Sequence, residues 1–427
     1  MHRHTLSLSL LLATAAGAIV ARAAPEPPWT VASYPDEAGY QQRIAGMIER
    51  IAAIDYLPRI MSASTCPDTG LPVRTWALEG EEILSPYTGR RYTQGPTGYF
   101  GPKRRDAQGR ISHFGGDPLK HALPPAGAAL ILATPGDAPG EADLPPSRAA
   151  VAQAYLSIPG NLRQHYHFAC VNWARFLPLA GHRMPPAWHD AFRDAAAVYE
   201  EDRRPSDGAV REYQPLPRTE TLLGLAEEHL GGGGTENHKT MWRTSGLLYA
   251  QLLPQGSLIS GKSQEEAIAT TSAVLTRYMR GMVTVGNGEY DSSTYYPYSL
   301  RAFLNLHDFS PDAATRAWAK AALDYYVATY GLKMFNGVLA GPQRRGWVNG
   351  WELGEMDQHV HAWVPDTTVP VDPSRFITTL HQATSSYRPN RVIARLIAKD
   401  VALPFEAEIA HPDYGMTRRN RHPEYLY

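Results

Sequence analysis

The sequence has 427 residues, with 41 Lys and Arg against 42 Asp and Glu, so its formal net charge is −1. This balance argues against a general nucleic-acid-binding protein, which would carry an excess or a stripe of basic residues. With 43% hydrophobic and 19% charged residues, the chain can bury a large core and is not disordered throughout.

The first residues have the pattern of a secretory signal peptide. His2–His4 give a basic start, Leu6–Val20 is largely apolar, and Ala21–Ala23 supplies a small-x-small cleavage pattern. The apolar run is short for a membrane span. We therefore expect residues 1–23 to be removed, and residues 24–427 to form one secreted or periplasmic domain that has no membrane partner.

The sequence contains only two cysteines, Cys66 and Cys170. An oxidising compartment permits a disulfide between them. Two buried thiols are the alternative, and the sequence leaves both open. A pair of cysteines excludes a disulfide scaffold and a cysteine-based zinc motif.

Two segments before residue 147 differ in pattern. Residues 56–146 are rich in Gly, Pro, Arg and Tyr, which is typical of turns, loops and short strands. Over 35–55, apolar residues recur at helical spacing, which predicts one amphipathic helix. These apolar residues are Ile44, Met47, Ile48, Ile51 and Ile54.

From Ser147 onward, helical periodicity dominates. Short links that often contain Gly or Pro separate the segments, which predicts antiparallel helix pairs. Ser263 and Ser310 are the expected N-caps of two of the helices. The predicted helices span 147–157, 162–178, 187–201, 217–230, 237–252, 264–281, 294–307 and 311–330.

Residues 331–427 lose this period and are expected to form loops with short helices, such as 374–385 and 390–399. A long series of antiparallel helix pairs buries one face of every helix when it closes into a ring. We therefore predict a mainly α fold: an incomplete or closed α/α toroid, with a loop-rich N-terminal segment and a mixed C-terminal tail.

One polar cluster marks the start of the helix predicted over 237–252. Gly231–Gly234 leave the backbone free to approach a ligand closely, and Glu236, Asn237 and His238 follow. Neighbouring Asn and His at a loop-to-helix junction can face a cleft. A capped helix start with a solvated His is the alternative interpretation.

A second polar cluster lies between Gly288 and Tyr298. A phenol can donate a proton in catalysis where its surroundings tune its pKa. A tyrosine-rich packing seam is the alternative interpretation. The cluster contains two acids, three small hydroxyls and four tyrosines, namely Glu289, Tyr290, Asp291, Ser292, Ser293, Thr294, Tyr295, Tyr296 and Tyr298.

Together the two clusters resemble the active-site elements of the α/α-toroid polysaccharide lyases, the group of alginate lyases, glucuronan lyases and heparinase-like enzymes. In those families an Asn-His pair opens a helix, and a catalytic Tyr follows some fifty to sixty residues later. In this sequence His238 and Tyr295 are 57 residues apart. The resemblance covers roughly residues 150–345.

The resemblance implies β-elimination on a uronate polymer of the alginate or glucuronan type, with an anionic polysaccharide as the partner and no cofactor. Asn237 would neutralise the uronate carboxylate. Tyr295 would protonate the leaving oxygen and would also take the C5 proton where both lie on one face of the sugar. His238 would be the base where they lie on opposite faces. The rivals of Tyr295 are Tyr290, Tyr296 and Tyr298.

Arginines near these clusters offer positive charge to an anionic substrate, since a guanidinium binds a carboxylate through two parallel hydrogen bonds. Arg345 is our candidate for the catalytic group, and Arg301 is a further basic candidate. A surface role is the alternative for any single Arg. The candidate substrate contacts are Arg163, His167, Glu236, Trp242, Arg243, Glu289, Tyr290, Tyr296 and Arg344.

Two His-x-His pairs have a spacing that can bind a metal where the chain is extended. The helical pattern around His165 and His167 points their rings apart. His359 and His361 follow two acids and are the better candidates for metal ligands. We predict no catalytic metal.

Two other functions stay open. A glycoside hydrolase would use two carboxylates, for instance Glu236 or Glu289 together with Glu352 or Asp357. A non-catalytic glycan-binding protein would use aromatic residues and arginines and would not depend on Tyr295.

Overall fold

The computed structural model describes the chain in several stretches, which are mainly helical, as the sequence predicts. The described residues up to Met47 and from Thr270 onward form one compact unit, the first unit. Those from Ile48 to Ala269 form the second unit. The described residues are 34–54, 77–79, 82–84, 91–92, 102–105, 111–114, 118–133, 147–157, 162, 165, 167–198, 236–335, 337–340, 354–365, 379–402, 404–409 and 424–426.

The amphipathic segment near the N-terminus forms two helices rather than one. α1 spans Glu37–Ile44 and α2 spans Met47–Ala52. Gly46 lies between them with a φ of 69°, a left-handed conformation that glycine adopts without steric cost and that ends a helix. The prediction of a single helix over 35–55 is therefore wrong at this turn. The predicted signal peptide lies outside the described residues.

The short strands predicted between residues 56 and 146 are present. Three of them form an antiparallel sheet in chain order, and the next two form a separate antiparallel pair. These strands are β1 (Ala77–Glu79), β2 (Glu82–Leu84), β3 (Arg91–Tyr92), β4 (Pro102–Arg105) and β5 (Ile111–Phe114).

The same segment also contains a helix that the sequence did not predict. α3 spans Pro118–Leu132 and carries Pro124 and Pro125 in its interior. Proline normally disfavours a helix interior because it lacks the N–H donor and clashes with the preceding turn. Here residues 122–130 are all buried, so the burial of an almost wholly apolar run compensates for the two prolines. The expectation of loops over this stretch is wrong.

The helices after Ser147 confirm the predicted series. α5 begins later than predicted, and the predicted helix 217–230 lies outside the described residues. In chain order the elements are α4 (Arg148–Leu156), α5 (His167–Ala180), α6 (Pro186–Ala197), α7 (Glu236–Leu252), the hairpin β6 (Leu258–Ile259) and β7 (Lys262–Ser263), α8 (Gln264–Val285), α9 (Tyr296–Phe309) and α10 (Ala313–Leu332).

One of the two predicted N-caps is confirmed and the other is wrong. Ser263 Oγ accepts a hydrogen bond from Glu266 N at 3.2 Å, as predicted for the start of α8. α10 is capped by Asp312, whose carboxylate accepts from Thr315 N at 2.7 Å. Ser310 is instead the C-cap of α9. A carboxylate at a helix N-terminus also interacts favourably with the helix dipole, which favours Asp312 at this position.

The C-terminal part is mixed, as predicted. α12 and α13 fall within the two short helices expected there, whereas α11 was not predicted. The elements are β8 (Met334–Phe335), β9 (Val338–Leu339), α11 (Glu355–Trp363), α12 (Thr379–Ala383), α13 (Arg391–Ile397), β10 (Ala407–Ile409) and β11 (Glu424–Leu426), with β8 paired to β9 and β10 to β11.

The second unit has an aromatic core. α3 packs against α4 and α5, and α5 packs against α7. Trp188 and Phe192 stack at 4.9 Å between ring centroids, and Trp173 lies edge-on to Phe192 at 5.7 Å. Cys170 is buried beside this core with its Sγ 3.6 Å from the carbonyl oxygen of Met241. Cys66 lies outside the described residues.

In the first unit, α1 is bound to the C-terminal helices. The Tyr40 hydroxyl donates to the carbonyl oxygen of Gln382 at 3.0 Å, and Arg43 Nε donates to that of Ala362 at 2.7 Å. Arg388 Nε forms an ion pair with Glu37 at 2.8 Å. α9 and α10 pack along each other because the link between them is short. No helix within the described residues is long and apolar enough to cross a membrane.

We expect Gly331→Ala to destabilise the first unit. A Cβ at this position would lie 2.5 Å from Cγ1 and 2.7 Å from Cδ1 of Ile397 on α13, and overpacking of this kind costs about 1–3 kcal/mol. Urea unfolding measures the loss. Gly181→Ala is the matched control in the second unit, since its Cβ would meet Leu177 at an ordinary 3.4 Å.

The clash also predicts coupling between the two positions. Ile397→Ala removes the atoms that crowd residue 331, so the double variant should be more stable than the sum of the single losses predicts. Strictly additive losses would show that the close approach of α10 and α13 does not limit residue 331.

Candidate active site

The first turn of α7 buries four consecutive polar side chains. Glu236, Asn237, His238 and Lys239 are 6%, 0%, 9% and 3% exposed. Polar and charged groups are rarely buried in series, because each loses its hydration and needs a compensating partner. The prediction of a helix start here is confirmed at Glu236, and the interpretation of His238 as a solvated residue is not supported.

Two aromatic rings hold His238. Phe168 on α5 lies edge-on to the imidazole, with 5.5 Å between ring centroids and 86° between planes. Trp242, one turn further along α7, lies 6.4 Å away at 62°. Trp242 is itself 4% exposed, so it packs behind the imidazole and does not present an open face to a ligand.

A lysine that no sequence motif marks lies beside this pair. The Nζ of Lys120, on α3, lies 4.5 Å from the centroid of the Phe168 ring, a distance typical of a cation–π contact. Lys120 is half-buried. Lys120 could not be predicted as a site residue from the sequence, because the two prolines of α3 argue against the helix that positions it.

Three alternate helices of the second unit bring their N-terminal turns together. Lys120, Phe168 and His238 are the third, second and third residues of α3, α5 and α7, and Phe168 contacts both of the others. α5 packs against both of the others. The positive ends of their dipoles therefore lie near one another.

Tyr295 lies at the N-cap position of α9 in the first unit. Its backbone N–H donates to Ser292 Oγ at 2.9 Å, which fixes the turn before the helix. Its side chain is half-buried, and the ring centroid of Tyr298 is 6.4 Å away. Tyr295 can therefore reach a ligand without leaving its helix.

Two of the rival tyrosines are enclosed. Tyr296 and Tyr298 are buried, whereas Tyr290 is half-buried like Tyr295. Burial and the nearby charge of Asp291 raise the pKa of Tyr296 well above its usual value. A phenol that is buried and hard to ionise is a poor choice for proton exchange with a ligand, so exposure favours Tyr295 and Tyr290.

The segment before α9 is anchored by a buried ion pair. Asp291 has a φ of 53°, a left-handed conformation that is uncommon outside glycine but that Asp tolerates better than most residues. Its carboxylate pairs with the ammonium of Lys333, which follows α10. Ser292 and Ser293 come next and are buried. The ion pair therefore fixes the turn that presents Tyr295.

The N-terminal ends of α9 and α11 also meet. Met356 N donates to the carbonyl oxygen of Ser293 at 3.1 Å. A Cβ on Gly354, the N-cap of α11, would lie 2.3 Å from the Cβ of Ser293, so only glycine fits. In the first unit too, alternate helices begin at the same end.

Asp357 is buried and fully engaged. Its Oδ1 accepts from the Tyr330 hydroxyl at 2.7 Å and from Leu339 N at 3.2 Å, and its Oδ2 accepts from Gly354 N at 2.7 Å. Burial raises its pKa to about 6, although these hydrogen bonds oppose the shift. These hydrogen bonds join α11 to α10 and to the strand β9, so Asp357 holds these three elements together.

His359 is completely buried two residues further along α11. Its Nδ1 lies 2.8 Å from Gln382 Oε1, and Gln382 Nε2 donates to the carbonyl oxygen of His359 at 2.8 Å. Because the amide oxygen can only accept, Nδ1 carries the proton and Nε2 is the basic nitrogen. Burial lowers the pKa of His359 to about 4.

The other member of this pair, His361, is half-buried. Within the described stretches, no group of three or more His, Cys, Asp or Glu residues is placed to hold a metal ion. His165, from the first His-x-His pair, is buried against Tyr249, with its Nδ1 3.1 Å from the hydroxyl. Burial lowers its pKa to about 3.

The predicted basic residues divide between buried, half-buried and undescribed positions. Arg301 is buried inside α9, with its guanidinium carbon 4.1 Å from the centroid of the Tyr298 ring. Arg243 on α7 is half-buried, and Glu289 is buried before α9. His167 begins α5, but its side chain is not described. Outside the described residues lie Arg163, Arg344, Arg345 and Glu352.

The predicted meeting of Asn237, His238 and Tyr295 in one cleft stays a prediction. The first two belong to the second unit and Tyr295 belongs to the first. Comparisons of the chain with protein-family models, with curated proteins and with solved structures give no match. The family resemblance therefore also stays a prediction.

We expect Asp357 and His359 to change the free energy of unfolding in opposite directions between pH 4 and 6.5. The folded pKa of Asp357 is raised to about 6, so its contribution to stability is lost as the pH rises from about 4 to 6. The folded pKa of His359 is lowered to about 4, so its contribution is lost as the pH falls from about 6.5 to 4. Each change amounts to roughly 3 kcal/mol.

Single variants separate the two effects. Asp357→Asn should lose stability more steeply than the native protein on acidification. His359→Asn keeps an N–H donor near Gln382 and should lose less stability than the native protein does. Urea unfolding at several pH values from 4 to 7.5 measures both, and parallel curves for all three proteins would contradict the assignment.

Proposed function

We propose that the protein is a secreted or periplasmic polysaccharide lyase that cleaves a uronate polymer of the alginate or glucuronan type by β-elimination. The observation that carries this proposal is the pair of polar helix starts. Asn237 and His238 occupy the buried first turn of α7, and the half-buried Tyr295 occupies the N-cap of α9.

We further propose that the helices form an α/α toroid. In such a ring, the inner helices alternate with outer ones along the chain and share a direction. What supports this is that alternate helices meet at their N-terminal turns, α3, α5 and α7 in the second unit and α9 and α11 in the first. The polar turns of α7 and α9 would then belong to helices of the inner ring.

The chemistry requires three roles: stabilising the carboxylate, removing the C5 proton and protonating the leaving oxygen. The proton on C5 of a uronate is very weakly acidic, so a hydrogen-bond donor at the carboxylate must stabilise the charge that develops when the proton leaves. Asn237 is the donor in this proposal. Tyr295 gives a proton to the leaving O4 and, where C5–H and O4 share a face, also removes the C5 proton. Where they lie on opposite faces, His238 is the base.

In the role of base, His238 would have to be in its neutral form, because a base must have a free lone pair at the working pH. Asn237 is fully covered in the structure. Substrate binding therefore requires side chains over the first turn of α7 to move aside, as happens in enzymes that close over their substrates.

A glycoside hydrolase is less well supported. Its acid would need a raised pKa and a position beside the sugar. Asp357 has a raised pKa, but its two oxygens accept three hydrogen bonds that join α10, α11 and β9. A carboxylate that accepts three structural hydrogen bonds is held in place by the fold and is a poor choice for a group that must exchange a proton with a sugar.

The first test is the product. The purified protein is incubated with alginate, glucuronan, hyaluronan, heparin-type glycosaminoglycans and pectin, and ultraviolet absorbance follows the unsaturated uronyl end that only elimination creates. We expect absorbance to rise with one class of polymer. Release of reducing ends without this absorbance would identify a hydrolase, and binding without cleavage would identify a glycan-binding protein.

Tyr295→Phe should strongly reduce elimination and retain substrate binding, because the ring stays and only the transferable proton is lost. We expect turnover to fall by about 10²-fold or more. Tyr325→Phe is the matched control, since it removes the hydroxyl of another half-buried tyrosine of the first unit. Native turnover in Tyr295→Phe would remove Tyr295 from the mechanism and leave Tyr290 as the candidate.

Asn237→Ala and His238→Ala should each reduce turnover by about 10²-fold, the usual effect of losing one charge-stabilising or acid–base group. Because both side chains are buried, circular dichroism and thermal melting must accompany the kinetics. Well-folded variants with native turnover would exclude the first turn of α7 from the active site.

A further inference from the structure

We propose that the N-terminal helix α1 holds the Tyr295 turn, residues 291–295, in its working position, and that Arg43 is the positioning residue through which it does so. The connection between them is α11, which contacts α1 at its C-terminal end and the Tyr295 turn at its N-terminal end. All three belong to the first unit. The effect on catalysis rests on the proposed function, whereas the coupling between the three elements does not.

The side chain of Arg43 covers the C-terminal end of α11. Its Nε donates to the carbonyl oxygen of Ala362 at 2.7 Å, and its Nη2 donates to that of Trp363 at 3.3 Å. The Tyr34 hydroxyl donates to the same oxygen of Trp363. The last carbonyl oxygens of an α-helix lack intrahelical donors, and a cation at this end interacts favourably with the helix dipole. Arg43 therefore supplies both hydrogen bonds and charge to the end of α11.

The start of α1 orients Arg43 for this contact. Asp36, the N-cap of α1, accepts from Gly39 N through Oδ1 at 3.2 Å and pairs through Oδ2 with Arg43 Nη1 at 2.9 Å. A Cβ at Gly39 would lie 2.3 Å from Asp36 Oδ1, so a side chain there would displace the cap. The carboxylate that begins α1 therefore also fixes the planar guanidinium that binds α11.

The other end of α11 holds the Tyr295 turn. Met356 N, in the first turn of α11, donates to the carbonyl oxygen of Ser293 at 3.1 Å, and Gly354 approaches Ser293 too closely for any side chain. Ser292, the preceding residue, accepts the backbone N–H of Tyr295 through its Oγ at 2.9 Å. The position of α11 therefore helps to set the position of the two serines that fix Tyr295.

α11 is short enough to carry a displacement from one end to the other. It has nine residues, which is about 13 Å of helix. The Tyr295 turn is also anchored by the ion pair between Asp291 and Lys333, and Asp357 joins α11 to α10 and β9. Loss of Arg43 should therefore loosen the turn without unfolding the unit.

The experiment is hydrogen exchange, followed by mass spectrometry at the resolution of single amides. The amides of Met356, Tyr295 and Tyr296 report on the turn, since they donate to Ser293 or Ser292. Arg43→Met keeps an apolar stem and removes the donors and the charge. These three amides should exchange about tenfold faster in this variant, as for the loss of a hydrogen bond from a charged group. The slowest amides inside α10 should keep their native rates.

Two further variants complete the series. Arg43→Lys keeps the charge but has one nitrogen in place of three, so the same amides should show a smaller rise, of about threefold. If Arg43→Met does not fold, Arg43→Lys decides the question, and native exchange in it would overturn the proposal. Arg395→Met is the matched control, since Arg395 pairs with Asp400 at 2.9 Å elsewhere in the first unit. It should leave the three amides unchanged.

Two results in folded Arg43→Met would also overturn the coupling: native exchange at the three amides, or an equal rise within α10, which is what a purely structural loss of stability predicts. On a polymer that the native protein cleaves, Arg43→Met should lower kcat about tenfold and change KM by less than about twofold, because Tyr295 is misplaced while binding is kept. Native kcat alongside faster exchange would refute the catalytic effect. A native protein that cleaves no polymer would refute the proposed function, and exchange would still test the coupling.

Discussion

The meeting of alternate helices at their N-terminal turns is the constraint on which the rest of the structure depends. An α-helix leaves four backbone N–H groups without intrahelical partners at its N-terminus, and helices that start at the same end of a unit gather these groups in one place. In the second unit α3, α5 and α7 do so, and in the first unit α9 and α11 do so. The apolar faces further along the helices form the core, while the polar first turns gather polar side chains in one place.

The structure meets the cost of burying these polar turns in two ways. Before α9, charge is matched inside the protein, since Asp291 pairs with Lys333 and Asp357 accepts three donors. At α7, the imidazole of His238 is enclosed by aromatic rings. Burial of a neutral imidazole costs less than burial of an ion. The start of α9 therefore compensates for lost hydration with an ion pair, whereas the start of α7 packs His238 against aromatic rings.

Much of the helical series could be predicted from the sequence, because amphipathic periodicity and Gly- or Pro-containing links determine where helices such as α7, α8 and α10 begin and end. α3 could not, since the burial of a continuous apolar run outweighs Pro124 and Pro125 only once neighbouring helices cover it. The break between α1 and α2 at Gly46 and the N-cap of α10 at Asp312 each depend on which of several neighbouring residues ends or begins a helix. The polar cluster around Asn237 was visible in the sequence, whereas Lys120 became visible only when α3 placed it beside Phe168.

The attachment of α1 to the C-terminal helices has a consequence for how the protein is made. Tyr40, Arg43 and Glu37 bind residues more than three hundred positions later, through Gln382, Ala362 and Arg388. A ribosome that adds about 5–20 residues per second needs on the order of tens of seconds to reach those partners. Until then the native partners of α1 have not been synthesised, so α1 cannot dock in its native position. The long-range closure of the first unit is therefore expected to be a late step of folding.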